Sequence, residues 1–453
     1  MAVRSTQASA LYRTLWRWHF YAGLFVIPFI VMLSLTGAVF LFKPQIESFE
    51  ERGYRNLPVA EKVSPSAQVE AALSAFPGAR FDNYRLPENA GDAALIHLGL
   101  ADGSAMRDVF VSPQGQVLGS LDPDWRIVEL MSRIHGSLLI GEAGSWLVEL
   151  AASWAIVMII TGLYLWWPRG RGLAGTAWPR RRTLLRDLHA VTGFLVAGLA
   201  LVLLVSGLPW ANVWGEAFKT VRAQAGWVQG KQDWKTGGGG DHVEHDHAAM
   251  MAAQEAGMPT TTLNAIVATA RAERLAFPVT VSPPGEKMVW TVKSDAQNRP
   301  QRATLTYDVG DGRLLAREIF ADRHPIDRAV GYGIAWHEGQ LFGWLNQLIG
   351  LATAIALIMM AVTGFLMWRR RKPDGLLGAP PLPSNPARLR GVVVIILVLA
   401  CLLPLLAISL LLVWMLDRFV LPHFPAMSRW LNLTQPSAAV RQQTAAPASD
   451  VNA

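Results

Sequence analysis

The sequence predicts an α-helical integral membrane protein. Five transmembrane helices are expected, the first four forming an internal two-fold repeat that carries two small α+β domains outside the membrane, and the fifth lying outside the repeat. Three observations predict this: five long apolar runs, a one-sided distribution of arginine, and two halves of the chain that match at fixed intervals.

The apolar runs are Phe20–Phe42, Ser145–Trp167, Leu188–Trp210, Trp344–Trp368 and Val392–Leu416. Each is close to the roughly 20 residues a helix needs to cross a hydrocarbon core. None has an internal Lys, Arg or Asp, and Glu149 and His189 sit near ends. Soluble domains rarely need helices that are apolar on every face. The first run is too long for a signal peptide, and Lys43-Pro44 follows where a small-residue cleavage site belongs, so it stays as a helix.

Orientation follows from the basic residues. Arg4, Arg13 and Arg17 precede the first run. Arg169, Arg171, Arg180, Arg181, Arg182 and Arg186 separate the second from the third. Arg369, Arg370, Arg371, Lys372, Arg388 and Arg390 separate the fourth from the fifth. Alternation puts all three groups on one side, the cytoplasmic side of a bacterial inner membrane. The formal charge of +7 is explained by these loops and needs no nucleic-acid partner. The expected order starts with the N-terminus and first helix over 1–43, then an outer domain over 44–134. A ligand-bearing segment with the second helix covers 135–168, a cytoplasmic loop 169–187, and the third helix 188–211. A second outer domain follows over 212–336, with a His-rich insertion at 237–251. The fourth helix and its ligand segment cover 337–369, a loop 370–390 and the fifth helix 391–416. The outer tail, 417–453, is rich in Ala, Pro and Gln and reads as disordered.

The repeat is detailed. Gly23 and Thr36-Gly37 follow His19 at the same intervals at which Gly193 and Ser206-Gly207 follow His189. Gly141, Thr161-Gly162 and Trp166 follow His135 as Gly343, Thr363-Gly364 and Trp368 follow His337. Such ungapped matching points to duplication of one unit of helix, outer domain and helix. The outer segments match too. Each opens with a helical stretch, Ser66–Phe76 or Thr262–Leu275. Each closes with alternating apolar residues around a glycine turn, over 108–119 and 303–315, which reads as paired strands.

Imidazoles at membrane depth are costly and usually functional. His19 and His189 lie at the cytoplasmic ends of their helices, and His135 and His337 on the outer side. Two neutral imidazoles can approach one iron from opposite faces of a porphyrin, and no carboxylate or cysteine accompanies them to build a zinc or copper cage. The chain therefore reads as a carrier of two bis-histidine b-type haems, one near each face. Attachment must be non-covalent, because Cys401 is the one cysteine. Gly23 and Gly193 would let a flat ring approach, or would pack helices. Arg17, Arg133 and Arg186 are candidates for propionate partners. From His135 to Trp167 one helix would be about 48 Å long, so a break is expected near Gly141–Gly144, with another near Gly339–Gly343. His242, His245 and His247, with Met250 and Met251, form a candidate loose metal site or a polar linker.

The residues Trp18-His19-Phe20-Tyr21-Ala22-Gly23, Ile134-His135-Gly136-Ser137, Thr161-Gly162-Leu163-Tyr164-Leu165-Trp166-Trp167, Asp187-Leu188-His189 and Trp336-His337-Glu338-Gly339 resemble the PepSY-associated transmembrane family. Iron-regulated inner-membrane proteins and ferric-siderophore reductases belong to that family. The resemblance covers about residues 10–372. It implies that the outer domains are PepSY-like and periplasmic, that histidines hold haem between helices, and that periplasmic ferric chelates are reduced. No Gly-x-Gly-x-x-Gly marks a fused nucleotide domain, so the donor, quinol or a cytoplasmic reductase, is separate. The alternatives are a non-enzymatic scaffold with partner-binding PepSY domains, a reductase of copper or another metal, and a metal permease. The permease is disfavoured because the histidines avoid mid-depth.

Overall fold

The computed structural model describes residues 2–59, 61–101, 105–167, 184–228, 262–285, 288–380 and 390–433. Along the chain run α1 (Ala2–Leu41), α2 (Lys43–Glu50), α3 (Pro65–Ala75), β1 (Arg80–Arg85), β2 (Ala94–Gly99), β3 (Met106–Val111), β4 (Val117–Leu121), α4 (Ile127–Ser137) and α5 (Glu142–Trp166). Then come α6 (Leu184–Gly207), α7 (Asn212–Gln224), α8 (Leu263–Ala272), β5 (Val279–Ser282), β6 (Val289–Ser294), β7 (Ala303–Asp308) and β8 (Leu314–Ile319). The last elements are α9 (Pro325–His337), α10 (Trp344–Arg371), α11 (Arg390–Leu402), α12 (Pro404–Met415) and α13 (Pro425–Trp430). The chain divides into two compact units, one of residues 1–32, 149–204 and 355–453, the other of 33–148 and 205–354.

Among the described residues five helices are long and apolar enough to cross a membrane: Leu11–Leu41, Glu142–Trp166, Leu184–Trp210, Trp344–Arg371 and Pro404–His423. Only 6% of the fifth is buried within the protein, against 39% of the second. The chain is a membrane protein with several apolar helices.

In the second unit the strands form one antiparallel sheet in the order β4-β3-β2-β1-β5-β6-β7-β8. The two sets of four strands are continuous, because β1 pairs with β5 through Tyr84 opposite Val281 and Arg85 opposite Thr280. Burial alternates along β6 and β7, with Trp290, Val292, Ala303, Leu305 and Tyr307 turned inward. That is the period of a sheet with one covered face. The cover is α3 and α8, whose Val69, Ala72, Ile266 and Val267 join the strands in one apolar core. Ser64 and Thr262 cap the two helices, each accepting from the backbone N–H three residues on. Asn264 accepts from the backbone and hydroxyl of Ser66, tying α8 to α3.

The break after His135 comes earlier than the glycines suggested. Leu138, Leu139 and Gly141 have positive φ, and α5 begins at Glu142. Gly144 lies inside α5 against Ser137, where a Cβ would stand 1.8 Å from the Ser137 carbonyl oxygen. After His337 the break does fall at Gly339 and Gly343, both at positive φ.

The C-terminal region departs furthest from expectation. The single helix expected over 391–416 is two, α11 and α12, separated at Leu403, whose φ of −130° and ψ of 87° are not helical. Pro404 is the reason: its ring disfavours the helical conformation of the residue before it. The expected disordered tail is structured at least to Leu433, through a π-helical turn at Leu416–Val420 and α13. Residues 434–453 lie outside the described part.

Candidate functional site

In the first unit, His19 on α1 and His189 on α6 face one another with ring centroids 6.4 Å apart and planes at 87°. Each ring is seated on a neighbouring helix. His19 Nδ1 lies 3.0 Å from the Met158 carbonyl and 3.3 Å from Thr161 Oγ1 of α5. His189 Nδ1 lies 3.1 Å from the Met360 carbonyl and 3.2 Å from Thr363 Oγ1 of α10. The carbonyls can only accept, so the proton sits on Nδ1 and the lone pair on Nε2. The threonine hydroxyls donate back to the Val157 and Met359 carbonyls, which leaves their oxygens as acceptors toward the rings.

The same arrangement recurs in the second unit. His135 on α4 and His337 on α9 have centroids 6.3 Å apart and planes at 90°. His135 Nδ1 lies 2.9 Å from Thr36 Oγ1 of α1, and His337 Nδ1 lies 3.1 Å from Ser206 Oγ of α6. Burial and the neighbouring His337 push the His135 pKa down to about 4. The ring is therefore neutral at ordinary pH, the form that ligates a metal.

The repeated Thr-Gly and Ser-Gly dipeptides are the seats of these rings. A Cβ on Gly162, Gly37, Gly364 or Gly207 would stand 3.0, 3.4, 3.3 or 3.3 Å from Cε1 of His19, His135, His189 or His337. The hydroxyl residue holds Nδ1 and the following glycine makes room for the ring. Gly23 and Gly193, the glycines one turn after their histidines, instead face the methionine side chains of Met158 and Met360. The signal was present, since both dipeptides belonged to the matched intervals.

Ion pairs anchor the helices that carry the second pair. Glu50 accepts from the Ile127 backbone N–H at the start of α4 and from Arg126 Nε. Arg126 also reaches Glu51 at 2.9 Å and Asp108 of β3 at 3.6 Å. Burial pushes the Glu51 carboxyl up, but Arg85 and Arg126 outweigh it and hold it below its ordinary pKa. Asp108 is lowered in the same way, with His97 and Arg126 overcoming burial. His97 on β2 is this network's end, 2.6 Å from Asp108. At α9, Arg222 pairs with Asp327, and the fully buried Arg299 pairs with Glu338, the residue after His337. Trp210 meets the His337 ring edge-on at 5.7 Å, and the Arg299 guanidinium lies over Trp210. The loop after His337 is locked by Asn346 on the Trp336 carbonyl and Gln347 on the Leu41 carbonyl.

Arg17 donates to the Pro380 and Asn432 carbonyls, so its guanidinium is already engaged by the backbone. Among the described residues no group of three or more His, Cys, Asp or Glu converges as a metal site. His242, His245 and His247 lie outside the described residues.

No curated protein matches the chain. The sequence profile described as PepSY-associated TM region matches residues 16–371, a stretch that contains all four paired histidines. The chain therefore belongs to the PepSY-associated transmembrane family.

Proposed function

We propose that this protein is a b-type haem electron carrier that reduces ferric chelates outside the bacterial inner membrane. The observation that carries the reading is the spacing of the rings. With a metal–imidazole bond of about 2.0 Å, a linear nitrogen–metal–nitrogen unit sets ring centroids about 6.3 Å apart. The pairs stand at 6.4 and 6.3 Å. Two imidazoles alone would leave a metal under-coordinated, and haem b would supply the remaining ligands without a cysteine link.

His19 with His189, and His135 with His337, would hold two haems per chain. Haem b bound at these pairs supplies a one-electron Fe(III)/Fe(II) couple. The Nδ1–H groups donate to carbonyl and hydroxyl oxygens, which fixes ring orientation and makes Nε2 a better donor. With a histidine pair held at each site, these residues would hold haem for electron transfer rather than oxygen activation. The positive-inside bias of the arginine-rich loops supports a cytoplasmic N-terminus and a periplasmic eight-stranded sheet made of two PepSY-like repeats. The substrate is a ferric siderophore or similar chelate, reduced by one electron to Fe(II), which such ligands hold less tightly. The electron comes from a separate donor, a quinol or a cytoplasmic reductase.

The test is the pyridine haemochrome spectrum of the protein purified in detergent. About two b-type haems per chain are expected, with one lost in His135→Ala or His337→Ala. Protein reduced under argon should then be reoxidised by a ferric siderophore. Haem-free protein from haem-replete cells would overturn the reading and favour a scaffold. Haem that no ferric chelate reoxidises would remove the reductase half alone.

A further inference from the structure

The fifth apolar stretch is built differently from the other four. Its first helix, α11, has 13 residues and is about 20 Å long, short of the roughly 30 Å of a hydrocarbon core. At Leu403 the helical backbone stops, and Pro404 starts α12. Leu403 and Leu406, at this junction, are buried, while most of the later side chains are exposed.

Three contacts fix the path. Trp154, midway along α5, donates to Ser409 on α12 at 3.1 Å, so α12 passes the middle of α5. Further on, Tyr21 near the start of the first apolar run donates to the Leu431 carbonyl at 2.6 Å. Arg17 reaches the Asn432 carbonyl at 3.3 Å and also the Pro380 carbonyl. The residues that follow α10 are at the same place. Leu377 N–H donates to the Trp430 carbonyl at 3.0 Å, and Asn432 Nδ2 donates to the Ala379 carbonyl at 3.0 Å. Trp368, in the last turns of α10, donates to the Leu377 carbonyl at 2.8 Å. The chain thus leaves the end of α10 at residues 377–380 and is back beside them at 430–432.

A chain that starts and finishes at one end of the helices cannot have crossed once. Ser409 lies beside the middle of α5, so one arm leads inward and one leads back, and α11 is the helix before the turn.

We propose that residues 390–423 form a re-entrant helical hairpin turned at Leu403-Pro404, latched by Arg17 and Tyr21, so that residues 429–433 face the same side as residues 372–380. The latch flanks His19 on both sides of its helix turn. The guanidinium of Arg17 and the hydroxyl of Tyr21 hold the closing segment over the end of α1. This holds whether or not haem is bound, and it separates the topology of the fifth stretch from the redox reading.

The test is cysteine labelling in the full-length chain, with Cys401→Ser as background and Asp374→Cys or Arg429→Cys as reporters. Both reporter positions are exposed. A membrane-impermeant maleimide is applied to intact spheroplasts and to inverted vesicles. Labelling of both positions in the same preparation is expected. Labelling in opposite preparations shows a single crossing and overturns the hairpin. A second measurement tests the latch: Tyr21→Phe should speed hydrogen exchange at the amides of 428–433 by about 2- to 10-fold, the range expected for one lost hydrogen bond. Unchanged exchange there removes the latch and leaves the hairpin to the labelling result.

Discussion

Replacing Gly162 by alanine isolates the seat of one histidine from the rest of its helix. The new Cβ would stand 3.0 Å from Cε1 and 3.4 Å from Nδ1 of His19, so the ring must give by a few tenths of an ångström. The α5 backbone is a poor candidate to yield, since movement would strain its hydrogen-bond ladder. The His19 ring is held by the Met158 carbonyl at 3.0 Å and faces His189 at 6.4 Å. Functional groups need placement within about 0.5 Å, so the shift uses most of the tolerance. Disturbing a ligand's support typically lowers metal affinity about 10- to 100-fold, or about 1.4–2.7 kcal/mol. Helix propensity acts the other way, since alanine improves a helix interior by up to about 1 kcal/mol over glycine. The variant should therefore melt no lower than the parent when haem-free, yet lose one haem of two to an excess haem scavenger. Gly198→Ala faces open space and Gly23→Ala meets only Met158 Sδ at 3.8 Å, so both should keep two haems. Haem content by pyridine haemochrome, with thermal melting of the same samples, decides it. Retention of both haems by Gly162→Ala, at the parent rate of loss, would refute the assignment of that dipeptide as a ligand seat.

Three other outcomes follow from the geometry. With imidazole planes at 87° and 90°, the two iron π orbitals are raised almost equally, so the oxidised protein should show one strongly anisotropic low-spin electron paramagnetic resonance feature per site; a rhombic three-line spectrum would contradict perpendicular ligation. Arg126→Met leaves Glu50, Glu51 and Asp108 without a shared partner and should cost about 3–5 kcal/mol, read as a lower melting temperature; a change under about 1 kcal/mol would show that the network is dispensable. Glu51 and Asp108 both have lowered pKa values in the fold. Their contribution is therefore complete above the ordinary carboxylate pKa of about 4 and is lost as pH falls through the lowered folded values. Acid unfolding followed by tryptophan fluorescence should accordingly begin at higher pH in Arg126→Met than in the parent, and coincident acid transitions would exclude this pairing as the source.

Much of the candidate site was legible in the sequence because the same residues occur at the same intervals in two stretches of the chain. The matched intervals singled out four histidines, and the structure brings them together in the two pairs expected from depth. Periodicity also found the closing hairpins, β3 with β4 and β7 with β8, and the covering helices, since burial of β7 alternates as its side chains do. The seats were harder. Thr161-Gly162 reads equally well as helix packing, and only three-dimensional register shows that its glycine faces His19 while Gly23 faces Met158. The joining of the two strand sets through β1 and β5 was not legible either. It rests on two residue pairs, Tyr84 with Val281 and Arg85 with Thr280, far apart in the chain and with no pattern to connect them.

In the hairpin proposed for the C-terminal region, composition alone would miscount the crossings. Val392–Leu416 is apolar throughout, so a window average reports one span, and alternation then sends the tail outward. A single residue contradicts the average. Pro404 constrains Leu403 away from helix, and an interrupted helix in lipid must satisfy the freed backbone against protein. The buried side chains of Leu403 and Leu406 mark where it does so. Polar groups on another segment, Arg17 and Tyr21 of α1, decide where residues 431 and 432 are held. Arg17 was counted among the topology-setting arginines, and it also binds the backbone carbonyls of Pro380 and Asn432. An arginine buried against two carbonyls is a fixed contact rather than a statistical bias. Where such a contact and a hydropathy window disagree about the path of a chain, the contact carries the greater weight, because breaking it leaves a buried charge unpaired.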